Sequence, residues 1–218
     1  MRRTLIALAL SAAGLAQAAT VNAFDNLADW TAAISGSAQL QDFSSYAVGT
    51  DLTGVAVLPG VSLSSNIGPV EVFNATTHTV TAFGPARQSG TGFYQGSYAL
   101  PFLAAALDIT SFESEPGNSS TAAGPGTLTF AFSDGSTQDF LIAGNPTGAA
   151  IFFGLVSDSA ITSFRWTEAL EGNGGNEETG LDNLRVAMRT TVNQVPLPGT
   201  LPLAMLALAV VPLARRRR

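Results

Sequence analysis

The chain has 218 residues, with sixteen acids against ten basic residues, and contains no cysteine. Disulfides, thiol catalysis and thiolate-bound metal are therefore excluded. Residues 19–189 hold all sixteen acids and only four bases, Arg87, Arg165, Arg185 and Arg189, a net of −12 that repels nucleic acid and anionic lipid.

In chain order, residues 1–18 carry Arg2 and Arg3, an apolar stretch from Leu5 to Leu15, and Ala16-Gln17-Ala18. That is the layout of a secretory signal peptide with an A-x-A cleavage site, so Ala16 and Ala18 are the cleavage residues and export machinery is the first expected partner. Thr20 to Phe24 reads as a strand. Asp25 or Asn26 then caps a helix whose Leu27, Trp30 and Ile34 share one face, and Gly36 ends it. Short strands follow at 39–43, 55–58, 61–64, 70–73, 77–83 and 98–103, with one or two more in 104–112. Residues 114–126 are a low-complexity loop. A hairpin spans 127–142 around Ser133-Asp134-Gly135, with Leu128, Phe130, Phe132, Phe140 and Ile142 inward. Residues 150–156 and 160–167 read as two strands, the second alternating Ile161, Ser163 and Arg165 against Thr162, Phe164 and Trp166. A strand at 181–188 closes the body.

Many short strands between turns, with a single helix, predict an all-β fold: an antiparallel, jelly-roll-like β-sandwich with one short N-terminal helix over 19–189. Residues 190–194 form a polar linker. From Val195 to Ala214 no side chain is charged, and a helix from Pro202 to Ala214 would reach into a membrane, with Arg215, Arg216, Arg217 and Arg218 held on the cytoplasmic side.

The motif Val195-Pro196-Leu197-Pro198-Gly199, the short Leu/Ala helix and the arginine cluster together resemble the C-terminal sorting signal of PEP-CTERM proteins, in the V-P-L-P variant. The resemblance covers residues 195–218 and the signal peptide. It implies a Gram-negative exported protein, an inner-membrane intermediate, and cutting of the tail by an exosortase-type enzyme before display or release at the cell surface. A permanent C-terminal anchor is the alternative for the same residues.

Candidate chemistry in the body is sparse. His78 is the sole histidine, and no G-x-S-x-G supplies a nucleophile elbow. A secreted carbohydrate-active hydrolase would need a carboxylate pair from Glu113/Glu115 or from Glu168, Glu171, Glu177 and Glu178. FFGLVSDSAITSFRW followed by GLDNLRV resembles the closing strands of jelly-roll carbohydrate-binding domains. That resemblance implies a calcium ion between Asp42 and Asp182, with Asn183 beside the latter, and extracellular polysaccharide as partner. The competing reading leaves Asp182-Asn183 as a strand cap and Asp42 in water. Phe93-Tyr94-Gln95-Gly96 reads as an exposed aromatic loop, while Trp30 and Trp166 read as a shared core. The expected function is a non-enzymatic binding or structural component of the envelope or polysaccharide matrix.

Overall fold

The computed structural model describes residues 18–73, 76, 79–82, 92–112, 124–167, 169 and 179–188. The signal peptide apart from Ala18, the linker and the whole sorting signal lie outside them, as do His78 and each glutamate of the hydrolase reading. Among the described residues no helix is long and apolar enough to cross a membrane.

The described residues are mostly antiparallel β-sheet with one short helix. In order, β1 is Val21–Phe24, α1 Leu27–Ala33, β2 Gln39–Gln41, β3 Ala56–Leu58, β4 Val61–Ser65, β5 Glu71–Val72 and β6 Val80–Thr81. Then come β7 Phe93–Thr110, β8 Gly126–Phe132, β9 Thr137–Ile142, β10 Ile151–Thr167 and β11 Gly180–Ala187.

Two strands differ from their expected form. The segments read as separate strands over 98–103 and 104–112 belong to one strand of 18 residues, and those flanking Ser157-Asp158-Ser159 are one of 17. Ser157-Asp158-Ser159 marks a bend rather than a turn. The pairing of β7 with β10 shifts register between Val156 and Ile161 and again before Ser163, so both strands change direction together. Each half then belongs to a different layer. In the first layer β3, β4, the start of β7, the end of β10, β8 and β9 lie side by side. In the second, β11 with β2 and β6 joins the end of β7, the start of β10 and β1.

The layers face each other across one core. Phe130 of the first stacks on Phe153 of the second at 5.9 Å between ring centroids, and both belong to a cluster with Phe43, Leu107, Ile109, Phe164 and Leu184. Trp166 sits in this cluster against Phe112, whereas Trp30 belongs to a separate one on the outside of the second layer. The expected shared tryptophan core is thus two cores, because β10 turns Trp166 inward while α1 approaches from the opposite side.

α1 is capped by Asn26, whose side-chain oxygen accepts from the Asp29 N–H at 2.9 Å. It lies on a floor of small residues: Trp30 and Ile34 pack on Ala104, Ala106, Val156 and Ala187. A Cβ on Gly154 would strike the Trp30 ring. The indole N–H donates to the Leu155 carbonyl at 3.2 Å, which satisfies the one polar atom of a buried Trp30.

Candidate functional site

The inner side chains leave two outer faces, and only the second layer's is roofed by α1. On the first layer, strand alternation sends Tyr94, Phe164, Leu128 and Phe130 into the core, so Gln95, Arg165 and Thr129 point outward. Register then lines residues up across the strands. Ser64 lies opposite Gln95, Gln95 opposite Arg165, Arg165 opposite Thr129, and Thr129 opposite Asp139. With neighbouring strands about 4.8 Å apart, this row of five spans roughly 19 Å.

The row is internally fixed. Arg165 donates twice to Gln95 Oε1, from Nε at 3.2 Å and from Nη2 at 2.8 Å. Its guanidinium also lies over the Phe93 ring, 4.1 Å from the centroid. Thr129 Oγ1 donates to Asp139 Oδ1 at 2.7 Å. The next row, Phe93, Thr167, Thr127 and Leu141, follows the same register. The face therefore presents hydroxyl, amide, guanidinium and carboxylate groups at regular intervals, beside one half-exposed aromatic ring.

The expected loop Phe93-Tyr94-Gln95-Gly96 is the start of β7 instead. Tyr94 is 1% exposed. Its hydroxyl donates to the Thr179 carbonyl at 2.9 Å and accepts from the Ala82 N–H at 3.0 Å, which ties β7 to the chain before β11. Tyr98 further along β7 is also buried, so of the aromatic residues expected at the surface only Phe93 reaches it. Gln95 and Arg165 carry no motif in the sequence. Alternation along β10 put Arg165 opposite the aromatic positions, but the row needs cross-strand register.

Asp42 and Asp182 do come within electrostatic range of each other, on the outside of the second layer. Asp42 follows β2 and is exposed, its Oδ1 accepting from the Ser44 N–H at 3.1 Å and the Ser44 hydroxyl at 2.7 Å. Asp182 lies within β11, directly opposite Asp108 of β7, a like-charged pair that costs stability when both are ionised. Burial pushes the Asp182 carboxyl up to about 6; the charges of Asp108 and Asp42 add to this, and the Asn183 N–H and Arg185 oppose it. Burial also raises Asp108, against the pull of Arg185 and the Asn183 amide.

Between Asp182 and Arg185 the register slips, and Asn183 takes a left-handed φ of 49°. That turn lets Asn183 Nδ2 donate to Asp108 Oδ2 at 2.9 Å and Asp182 Oδ2 at 3.2 Å. Arg185 Nη1 sits 3.6 Å from Asp108 Oδ1 and donates to the Asn183 carbonyl at 2.8 Å. Asp182-Asn183 is thus an internal bulge rather than a strand cap. Asp108 and Asp182 each already face the Asn183 amide, and Arg185 lies beside Asp108. Among the described residues no group of three or more Asp, Glu, His or Cys side chains is arranged to hold a metal ion.

Between the layers, a gap among Phe43, Leu63, Leu107, Phe164, Leu181 and Leu184 leaves no room for a water molecule. It is part of the core.

No family model matches the chain, and no curated protein matches it. Among solved structures, a mutant of CBM29-2, a family 29 carbohydrate-binding module probed for its mechanism of ligand recognition, is similar at 10% identity. The match covers 71% of this chain and 94% of that one at a TM-score of 0.41. A likeness at that score carries no argument about this chain.

Proposed function

We propose that the chain is an exported, non-catalytic component of the cell envelope or extracellular polysaccharide matrix, and that it binds polysaccharide across the unroofed face of its first layer. The observation that carries the binding role is the register-aligned row Ser64, Gln95, Arg165, Thr129 and Asp139. Its strand spacing of about 4.8 Å is close to the repeat of a hexose along an extended glycan. The row offers both donors and acceptors, which suits a hydroxyl-rich chain. Phe93, backed by Arg165, offers an apolar surface for the C–H face of a sugar ring. The acidic body disfavours nucleic acid and anionic membrane as rivals for that face.

Delivery is the role of the two ends. The signal peptide exports the body, the 202–214 segment holds it at the inner membrane, and an exosortase-type enzyme acts at Val195–Gly199. Support for this is the three-part layout of motif, apolar segment and terminal arginines.

The test of binding is a pull-down of the exported protein on its host's extracellular polysaccharide, with Ca²⁺ and again with EDTA. Retention in both conditions, reduced about tenfold or more by Arg165→Ala, is expected; a tenfold loss is about 1.4 kcal/mol. Retention indifferent to Arg165→Ala and Phe93→Ala would remove the face from the account. Retention lost only in EDTA would restore the calcium reading at Asp42 and Asp182. For delivery, the C-terminal peptide of the surface protein is read by mass spectrometry. A chain still ending at Arg218 would mean permanent anchoring in place of sorting.

A further inference from the structure

The polar row ends at β9, and β9 is where the first layer stops. Among the described residues it pairs with β8 alone. The other strands that end a layer, β1, β2, β3 and β5, are two to four residues long, a length that limits pairing with another chain. β9 has six residues, Thr-Gln-Asp-Phe-Leu-Ile, with no proline, no lysine or arginine, and one acid. It therefore lacks most devices that keep an edge from pairing.

Its hydrogen-bonding direction follows from the hairpin. The Phe132 N–H donates to the Ser136 carbonyl at 3.0 Å, which makes that pair hydrogen-bonded across β8 and β9. Alternation then turns the backbone groups of Gln138, Phe140 and Ile142 toward β8 and those of Thr137, Asp139 and Leu141 outward. Leu141 is also 73% exposed, the most exposed large apolar side chain among the described residues.

We infer that β9 pairs antiparallel with β9 of a second copy of this chain, so that two unroofed faces join into one continuous surface. Charge selects the register. Asp139 opposite the second copy's Asp139 would set like charges against each other. Of the registers that keep outward groups matched and the two Asp139 side chains apart, the one that pairs the most of β9 places Asp139 opposite Leu141 and Leu141 opposite Asp139, centred on Phe140. A two-fold axis perpendicular to the sheet keeps both faces on the same side. The Arg165 row of one copy then runs into the Phe93 row of the other, and a glycan lying across the strands meets nine strands rather than five, roughly 38 Å at the usual spacing. Two weak sites on one strand of polysaccharide bind with avidity. A pair of six-residue strands covers far less than the ~1,600 Å² of a standard interface, so the dimer is concentration-dependent.

The absence of native cysteine makes the test clean. Full-length chains carrying Asp139→Cys and Leu141→Cys are co-expressed and exported to an oxidising compartment. A mixed disulfide dimer is expected at about fivefold or more over either variant alone, because directly opposed residues meet disulfide geometry and diagonal ones do not. No mixed dimer, or equal trapping with Val55→Cys as partner, overturns the proposal. In parallel, sedimentation of the exported protein should show dimer growing with concentration, and Leu141→Glu, which sets a like charge opposite the second copy's Asp139, should abolish it with the thermal unfolding midpoint unchanged. Dimerisation that survives Leu141→Glu also overturns it. Neither readout uses polysaccharide, so failure here leaves the binding reading standing, and the reverse.

Discussion

The two outer faces of this sandwich are made largely by the same two strands, yet they share almost no chemistry. Where β7 and β10 run in the second layer, their outward positions are Ala104, Ala106, Gly154 and Val156, and Trp30 lies on them. Where they run in the first, the outward positions are Gln95, Ser97, Ser163 and Arg165, and no described element lies on them. Small apolar residues make a floor that a helix can approach closely. Polar residues of medium length hold one another in place and keep their remaining capacity for solvent or a ligand. The comparison teaches that a strand's outward residues announce what it is built to meet: the chain's own helix in one half, something external in the other.

That contrast can be broken from either side. Trp30→Ala should cost about 3–5 kcal/mol in chemical unfolding, as for other buried aromatics, because it empties the roofed cluster. Arg165→Ala, on the bare face, should change stability by no more than about 0.5 kcal/mol while lowering polysaccharide retention about tenfold. If Arg165→Ala instead unfolds the protein, the bare face is structural and the contrast fails. Asn26→Ala should cost about 1 kcal/mol through the lost helix cap, visible as a lower thermal midpoint.

The smallest expected effect belongs to Asp182. Its carboxyl is raised to about 6 in the folded state, so the folded chain binds more protons than the unfolded one between about pH 4 and 6. Stability therefore falls as pH rises through that window, and the penalty is fully present above it. Asp182→Asn keeps the acceptor for the Asn183 N–H but removes the charge opposite Asp108. It should raise the thermal midpoint at pH 7 and flatten the profile between pH 4 and 6. Because the group is half-exposed, solvent screening holds the gain to on the order of 1 kcal/mol or less. A profile unchanged by the substitution would show that the Asp108–Asp182 pair carries no strain.

Much of the fold was legible where the signal was local. The hairpin at Ser133-Asp134-Gly135 and the helix with Trp30 inward follow from turn chemistry and spacing, and both form. The bends of β7 and β10 were not legible: the serines around Asp158 look the same at a bend as at a turn, and nothing at 103–104 shows that the strands on either side are continuous. For the candidate site, Asp42 and Asp182 were named and do feel each other's charge. Asp108 was missed inside the apolar run AAALDITSF, although a lone carboxylate in such a run is itself a signal that a partner must be found. Arg185, one of only four bases in a body of acids, was that partner. The row on the bare face could not be read, since each member looks like an ordinary solvated residue until five strands are set in register.

The place of β11 has a consequence for the order of events in folding. It is the last strand in sequence, yet it lies inside the second layer, between β7 on one side and β2 and β6 on the other. A chain delivered N-terminus first cannot complete that layer until residue 187 has emerged. β2 and β6 must wait, without their neighbour, through almost the whole of synthesis, and β11 is the keystone on which the second layer closes.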